Sequence, residues 1–310
     1  RVEGGITSVA KSEGGVLTLL TNGKFQGNDS ESGEMLAQES FALFPMLHTS
    51  ARDAALVIGY GTGMTTRVFH DSGFKQIDVA ELSNDIVVMA NRYFEKINHS
   101  VMDSPKVRMH YTDGRNFLLT QNQKFDLVSI EITSIWFAGA ANLYNKDFYE
   151  LTKKRLTTKG VLQQWVQLHH ISPMDLAYVI GSIRSEFKYL WLYVRGGQGI
   201  IVASNHLNAF QDPYQSIAVG DDFGLKMREN SVDLRSHLVL SPAGIDRFIS
   251  SIDPTMSRLV STDSNLYLEH STPKGNALGD VLESNLRLLS SFENANANSV
   301  KDGVRVESAN

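Results

Sequence analysis

The spacing of apolar residues changes along the chain, and the first part has the spacing of short strands. Over residues 6–26, apolar and polar positions alternate around turns at Gly14-Gly15 and Asn22-Gly23. Asn-Gly between alternating stretches is a strong signal for a tight hairpin. We therefore predict a small antiparallel sheet, followed by a helix over residues 34–44 with apolar residues at helical spacing. Pro45 should end or kink this helix, because proline lacks the N–H that a helix interior requires.

From residue 54 onward, buried strands alternate with helices. Strands are predicted at residues 55–58, 77–80, 107–110, 125–130 and 160–168. Helices are predicted at residues 65–70, 85–94, 148–156 and 174–187. A closing antiparallel pair is predicted at 189–194 and 200–203, around the glycine-rich turn at 196–199. This order is typical of an α/β fold with a doubly wound, mostly parallel sheet, which binds ligands at the carboxyl ends of its strands.

These patterns divide the chain into four segments. We predict an N-terminal β-hairpin domain with its linking helix at 1–50, and a Rossmann-like domain at 51–205. A C-terminal extension follows at 206–292, with helices predicted at 242–250 and 278–289. Residues 293–310 are rich in Asn, Ser and Ala, so we predict a disordered tail.

Composition excludes some classes of function. Of the 310 residues, 42% are hydrophobic and 20% are charged, as in ordinary globular proteins. The net charge of −5 argues against a nucleic-acid binder and is compatible with a cationic small substrate. There is no cysteine, which excludes disulfides and thiolate metal sites, and the histidines lack the spacing of metal ligands. We therefore expect neither a metal nor a nucleic-acid partner.

The apolar runs of the chain are short. None approaches the roughly 18 residues that a membrane-spanning helix needs, so no span is predicted in this chain. We expect a cytoplasmic protein. Because Arg1 is not a natural start, a tether in preceding chain is left open.

A glycine-rich turn, Gly59-Tyr60-Gly61-Thr62-Gly63, lies between the first strand and the first helix of the alternating region. Glycine is needed where a backbone turns sharply and approaches a ligand closely. A dinucleotide-binding turn would carry its third glycine at the sixth position, where this chain has Met64. The observed form therefore suits a nucleoside without a pyrophosphate, as in S-adenosyl-methionine binding.

Three carboxylates follow three successive strands of the same region. Glu81 ends the second strand about 20 residues after the glycine turn, where an acid can accept hydrogen bonds from both ribose hydroxyls. Asp113 ends the third strand, where it can accept from an adenine amino group, and Glu131 ends the fourth. A single strand-end acid is more often a helix cap or a solvated group. Three in succession after a glycine turn favour a nucleoside site.

Several motifs in order resemble one known family. They are ALVIGYGTG at 55–63, DVAEL at 78–82, TDGR at 112–115, KFDLV at 124–128 and NLY at 142–144 before FYEL at 148–151. Together with the hairpin ending in NGKFQ at 22–26 and GEML at 33–36, they resemble the spermidine synthase (polyamine aminopropyltransferase) family. The likeness covers about residues 5–205. It is nearest to variants associated with membrane-transporter-like fusions, which share a segment like STDSN at 261–265.

The resemblance implies a fold, a set of roles and a quaternary structure. It implies the Rossmann-like fold of S-adenosyl-methionine-dependent transferases, with a small N-terminal antiparallel β-domain, in a homodimer. Glu131 lies where the family has the acid that helps to deprotonate the attacking amine. The implied nucleoside-binding residues are Gln26, Gly59, Gly61, Gly63, Glu81 and Asp113.

The chain departs from the family pattern on the substrate side. Thr62 and Ser134 stand where the family has acids that hold ammonium groups, and the catalytic acid is Glu131 instead of Asp. Losing such charge-assisted bonds, about 1.5–3 kcal/mol each, predicts weaker polyamine recognition. In the loop after Glu131, Trp136 and Tyr144 either close over the ligand as a lid or pack on the domain.

Three functions remain open on these residues. The first is transfer of an aminopropyl or related alkyl group to a small-molecule amine, with decarboxylated or intact S-adenosyl-methionine as the donor. The second is a methyltransferase, which would share the glycine turn and the ribose acid. The third is a non-catalytic binding or scaffold module that kept the fold.

Overall fold

The computed structural model describes residues 5–132, 135, 140–211, 234–273 and 279–293. Its N-terminal part is a three-stranded antiparallel sheet of β1 (Thr7–Lys11), β2 (Leu17–Thr21) and β3 (Lys24–Asn28). Asn22 and Gly23 form the turn between β2 and β3, both with positive φ, as a two-residue hairpin requires. The predicted small sheet is confirmed.

A second, eight-stranded sheet forms the centre of the molecule. Its strands are β4 (Ala54–Ile58), β5 (Gln76–Glu81), β6 (Val107–Tyr111), β7 (Phe125–Ile130), β8 (Leu156–Val166), β9 (Tyr189–Arg195), β10 (Gln198–Ser204) and β11 (Leu238–Leu240). The spatial order is β11-β9-β10-β8-β7-β4-β5-β6. Strands β6, β5, β4, β7 and β8 pair in parallel, and β10, β9 and β11 continue the sheet with antiparallel pairs. The predicted α/β fold with a mostly parallel sheet is confirmed.

Helices cover this sheet. The first five are α1 (Glu34–Met46), α2 (Met64–Asp71), α3 (Asn84–Tyr93), α4 (Glu95–Asn98) and α5 (Gly114–Thr120). The next five in the described residues are α6 (Lys146–Arg155), α7 (Pro173–Arg184), α8 (Pro242–Ile252), α9 (Tyr267–Ser271) and α10 (Leu282–Glu293). A short 3-10 helix at Ala140–Leu143 leads into α6.

Alternate residues of the central strand β4 face two separate apolar cores. Leu56 and Ile58 belong to the core that includes residues of α5, α6 and α7. Ala55 and Val57 belong to the core that includes residues of α1 to α4. Because successive side chains of a strand point to opposite faces, one continuous apolar run builds both layers.

Some elements differ from the sequence-based expectations. Helix α1 continues one residue past Pro45, to Met46, so the proline lies in its last turn. Helix α5 was not predicted, because its seven residues are too few to show a helical period. Strand β11 and helices α4 and α9 are three, four and five residues long. They were missed because elements this short show no clear spacing of apolar residues.

The C-terminal extension packs on the central sheet. Strand β11 pairs with β9, and residues of α8 and α10 join the core on one face. Helix α10 begins at Leu282 and ends at Glu293, and the predicted start at Leu278 lies outside the described residues. Glu293 accepts hydrogen bonds from Ser241 N and Oγ at 3.0 and 2.9 Å, so it closes α10 against the loop before α8. The rest of the predicted tail, 294–310, lies outside the described residues.

Among the described helices, none has the length and apolar character needed to cross a membrane.

Candidate active site

Backbone hydrogen bonds between neighbouring strands bring the three strand-end acids to one edge of the sheet. Gly59 N donates to Ala80 O at 2.9 Å, and Glu131 N donates to Ile58 O at 2.9 Å. Thr112 N donates to Glu81 O at 3.1 Å. These bonds extend the parallel pairing past the ends of β4, β6 and β7. The turns that follow the strands therefore lie side by side.

A cavity of about 530 Å³ opens at this edge. Gly59, Glu81 and Asp113 all line it, so three of the predicted nucleoside-binding residues share one wall. The other lining residues are Ile58, Ala80, Leu82, Thr112, Gly114, Arg115, Asn116, Ile132, Ala140, Asn142 and Leu143. A cavity of this size lies within the range of small-molecule sites.

Glu81 is buried and oriented by backbone donors. Its Oε2 accepts from Tyr60 N at 2.9 Å and its Oε1 accepts from Ser83 N at 2.8 Å. Burial raises the pKa of the Glu81 carboxyl, and the backbone N–H groups of Tyr60, Ser83 and Leu82 oppose this rise. The glycine turn and the start of α3 thus hold this carboxyl from both sides, at the cavity wall.

Asp113 caps helix α5. Its Oδ1 accepts from Asn116 N at 3.0 Å, three residues into the helix. The side chain is half-buried and lines the cavity. The cap fixes the carboxylate at the rim, beside Arg115 and Asn116. One residue therefore serves as both a helix cap and a cavity-wall acceptor.

All three glycines of the turn have a positive φ, which residues with side chains rarely adopt, and at Gly63 a side chain would also clash. Gly63 has φ +86°, and a Cβ there would come within 2.6 Å of Tyr60 Oη. Gly59 has φ +94°, and its α-carbon faces the backbone of Glu131, with 3.5 Å between an added Cβ and Glu131 O. Gly61, at φ +52°, lies against the carbonyl of Gln26, with 3.7 Å between an added Cβ and Gln26 O. The turn thus contacts both the end of β7 and the N-terminal sheet.

Thr62 connects the glycine turn to helix α1. Its buried hydroxyl donates to the side-chain carbonyl of Gln38, and its carbonyl accepts from Asn98 Nδ2 at 3.0 Å. An added Cβ on Gly27 would lie 2.9 Å from Gln38 Nε2 and 3.1 Å from Thr62 Cγ2, so strand β3 packs on the same pair. Gln26, the half-buried neighbour of Gly27 in the chain, is thereby held over the turn. The Thr62 hydroxyl is engaged with α1 and not with the cavity wall.

Glu131 lies behind Gly59 in a low-dielectric position. Ser129 Oγ lies 3.4 Å from Glu131 Oε1 and donates at 2.7 Å to Gln163 Oε1 on β8. Burial raises the pKa of Glu131 well above its ordinary value, and hydrogen bonds from Thr65 and Ser129 oppose the rise. The Glu34 carboxyl adds to it by charge repulsion. A carboxyl with a raised pKa is a stronger base once it is ionised.

A second carboxyl, Glu34, therefore lies within electrostatic reach of Glu131. It occupies the first turn of α1, where Gln38 Nε2 donates to Glu34 Oε1 at 3.4 Å. Burial raises the pKa of Glu34 as well, and the bond from Gln38 opposes it. Two carboxyls with raised pKa values at one place suit a cationic guest, which would restore both to the ionised form. Sequence motifs did not single out Glu34.

The remaining predicted substrate-side residues are distributed differently. Tyr144 is buried beneath the cavity, and its hydroxyl donates to Trp165 O at 3.0 Å and to Ile132 O at 3.2 Å. Burial raises the pKa of Tyr144, so it remains a neutral donor. The contact with Ile132 O supports the backbone of a residue that lines the cavity. Ser134 and Trp136 lie outside the described residues.

Arg115, Asn116 and Asn142 are among the cavity-lining residues that were not predicted as site residues. Arg115 and Asn116 follow Asp113 directly, so the unpredicted helix α5 is what places them on the wall. Asn142 belongs to the 3-10 helix before α6 and lies within a recognised motif. These residues could have been predicted from their positions in the sequence, because each lies within or next to a residue or motif that was identified.

A family model for the spermine/spermidine synthase domain matches residues 34–210, which is 177 of the 310 residues. Curated relatives include a polyamine aminopropyltransferase of Nitrosomonas europaea, 26% identical over 81% of this chain and 75% of that protein. Polyamine aminopropyltransferase 2 of Pseudomonas aeruginosa is 28% identical over 56% of this chain, which spans half of its length.

Solved structures show the same fold. A spermidine synthase from Thermotoga maritima has a TM-score of 0.57 at 17% identity, over 79% of this chain and 87% of that one. A spermidine synthase in complex with the transition-state analogue AdoDATO has a TM-score of 0.59 at 17% identity, over 79% and 88% of the two chains. At this identity the likeness concerns the fold alone.

Proposed function

Because this chain belongs to the spermine/spermidine synthase domain family, we propose that it is a transferase that moves an aminopropyl group from a sulfonium nucleoside to an amine. One observation carries the proposal: the cavity wall with Glu81 and Asp113 ends at Gly59, whose α-carbon faces the backbone of Glu131. A nucleoside-sized cavity and the half-buried Glu131 are thus adjacent at one strand edge.

The reaction does not require the protein to form a covalent bond with either substrate. The amine nitrogen forms a bond to the carbon next to the sulfonium, and the carbon–sulfur bond breaks with its electron pair on sulfur. Methylthioadenosine leaves as a neutral thioether, and Glu131 takes the proton of the attacking amine. Alignment of the two reactants and exclusion of water supply the rest of the acceleration.

The nucleoside half of the donor is assigned to the cavity wall. Glu81 accepts hydrogen bonds from the ribose hydroxyls, and Asp113 accepts from the adenine amino group. Glu81 is already oriented by two backbone donors, so little conformational freedom is lost when the nucleoside binds. Because Gly61 lies against the carbonyl of Gln26, the N-terminal sheet is assigned to the sulfonium side of the nucleoside.

The decarboxylated donor fits the charges of the site. Glu34 and Glu131 already repel each other, so a donor that kept its carboxylate would add a third negative group near them. A donor with only an ammonium group would instead relieve this repulsion. The acceptor follows the same reasoning: we propose a small primary amine of the polyamine class, in line with the relatives named polyamine aminopropyltransferase.

Family membership and these relatives favour aminopropyl transfer over methyl transfer and over a non-catalytic binding module. Homodimer formation and a cytoplasmic location, with or without a tether, stay predictions. Light scattering of the purified chain checks the first.

A turnover assay tests the proposal. The protein is incubated with decarboxylated S-adenosyl-methionine and a diamine, and mass spectrometry follows the products. We expect a diamine heavier by one aminopropyl group and an equal amount of methylthioadenosine, both formed at least about 100-fold more slowly with Glu131→Gln. Methylthioadenosine production without an aminopropylated amine, or a methylated amine from intact S-adenosyl-methionine, would refute it.

A further inference from the structure

A segment of the C-terminal extension, outside the matched family domain, contacts the wall of the cavity. Arg115, a cavity-lining residue, donates from Nη1 to Asp263 Oδ1 at 2.8 Å and from Nη2 to Asp263 Oδ2. The two residues are 148 positions apart in the chain. A two-point contact between a guanidinium and a carboxylate fixes the plane of the arginine as well as its position.

Asp263 is itself held from several directions. Asn145 Nδ2 donates to its Oδ1 at 2.5 Å, and its own backbone N donates to Asp147 Oδ2 at 2.8 Å. Lys146 N donates to Ser261 O at 2.8 Å. These bonds attach residues 261–263 to the start of helix α6. Asp263 is therefore a fixed acceptor for Arg115.

The same segment supports the opposite wall. Helix α9, which follows it, packs against the 3-10 helix at Ala140–Leu143, whose Ala140, Asn142 and Leu143 line the cavity. Tyr267 at the start of α9 stacks on Tyr178 of α7, with ring centroids 3.5 Å apart. The C-terminal extension thus reaches the cavity by two routes, through Arg115 and through the 3-10 helix.

An ion pair this exposed contributes little to folding by itself. The side chains of Arg115 and Asp263 are 23% and 44% exposed, a range in which such pairs add little stability. Arginine has a long side chain with many rotamers, and each rotamer lost on ligand binding weakens the affinity. A partner that selects one rotamer beforehand removes that cost. The pair is therefore better suited to orienting Arg115 than to stabilising the fold.

We propose that Asp263 is a positioning residue for nucleoside binding, which acts by holding Arg115 against the nucleobase end of the cavity beside Asp113. The inference rests on the proposed function, because it concerns the same site. It makes the C-terminal extension a structural part of the nucleoside site, although the extension lies outside the family domain at 34–210.

A matched ion pair between the extension and the family domain provides the control. Arg184 Nε donates to Asp246 Oδ1 at 2.8 Å, and the pair links α7 to α8. Its side chains are 29% and 43% exposed, close to the values for Arg115 and Asp263. Asp246→Asn removes the same charge from the same extension, and neither residue of its pair lines the cavity.

The experiment is calorimetric titration of the full chain with methylthioadenosine, beside a thermal melt of each variant. Asp263→Asn should raise the Kd about tenfold, as expected for restoring the rotamer freedom of one long side chain and its water shell. Asp246→Asn should leave the Kd within about twofold, with a similar change in Tm. In kinetics, Asp263→Asn should raise the donor KM and leave the acceptor KM unchanged.

A double variant separates positioning from general loosening. If Asp263 acts through Arg115, Asp263→Asn added to Arg115→Ala should weaken methylthioadenosine binding no further. Equal losses for Asp263→Asn and Asp246→Asn, additive effects with Arg115→Ala, or an unchanged Kd would each overturn the inference and leave the proposed function standing. A wild-type chain that bound no methylthioadenosine would overturn both.

Discussion

The two ends of the candidate active site are built from different kinds of contact. At the nucleoside end, Glu81 and Asp113 accept hydrogen bonds from backbone N–H groups that are near them in the fold, at a strand end and a helix start. At the acid end, Glu131 is surrounded by side chains from distant parts of the chain, including Glu34 on α1 and, through Ser129, Gln163 on β8.

This difference separates recognition from chemistry. Backbone donors keep the nucleoside-end carboxylates oriented before any ligand arrives, which favours binding. The acid end instead has two carboxyls whose pKa values are raised by burial, and the Glu34 carboxyl raises the pKa of Glu131 further, which favours a basic group and a cationic guest. We therefore expect substitutions at one end to affect affinity and those at the other to affect turnover.

The largest expected effect is on turnover, from Glu131→Gln. The amide keeps the shape of the side chain but cannot take a proton from the amine, so kcat should fall by about 10²–10⁴-fold. Methylthioadenosine affinity, measured by calorimetry, should stay within about threefold of the wild type. Glu131→Asp, which restores the acid, should recover part of the rate. Turnover retained by the glutamine variant would remove the proposed base.

Glu81→Ala should give the next largest effect, on affinity. It removes a buried acceptor for two ribose hydroxyls, and hydrogen bonds to a charged group are worth about 1.5–3 kcal/mol each, so the Kd for methylthioadenosine should rise by about 100-fold or more. Ser83→Ala is the matched control, since it leaves the backbone N–H that binds Glu81. Unchanged affinity in Glu81→Ala would show that the nucleoside end lies elsewhere.

The pH profile should show the raised pKa of Glu131. The base must be ionised, so kcat/KM should fall as the pH drops through a pKa well above the ordinary value of 4.5, with a tenfold loss per pH unit below it. In the residual activity of Glu131→Gln this acid limb should be missing. A wild-type profile that stays flat down to pH 5 would contradict the raised pKa.

Thr62→Val should have the smallest effect. It leaves the buried carbonyl of Gln38 without its donor, which should lower the free energy of unfolding by about 1–3 kcal/mol, measured by chemical denaturation. Nucleoside affinity should change by less than about twofold, because the Thr62 hydroxyl points to α1. Thr62→Ser, which keeps the hydroxyl, is the control. A raised donor KM with unchanged stability would instead place Thr62 against the substrate.

The nucleoside end could be predicted from the sequence because its residues occupy fixed positions in local patterns. A glycine turn directly after a buried strand, and acids at the ends of the next strands, follow from the parallel sheet itself. Gly59, Glu81 and Asp113 were found in this way and line one cavity. Even Arg115, which was missed, lies two residues from Asp113.

The acid end could be predicted only in part. Glu131 follows a strand and was predicted as a site residue, whereas Glu34 lies in the GEML motif but comes near Glu131 only because α1 packs beside the glycine turn. Asp263 reaches Arg115 from 148 residues away, a distance over which no periodicity or spacing applies. Short elements were missed for a related reason: α5 has seven residues, fewer than a helical pattern needs to be recognised.

One calorimetric experiment tests the central claim most directly, by titrating the wild-type chain in parallel with methylthioadenosine, decarboxylated S-adenosyl-methionine and intact S-adenosyl-methionine. We predict that the first two bind and that the intact form binds at least about tenfold more weakly than the decarboxylated donor, because its carboxylate meets Glu34 and Glu131. Binding of none of the three, or tighter binding of the intact form, would contradict an aminopropyl-transfer site at this edge of the sheet.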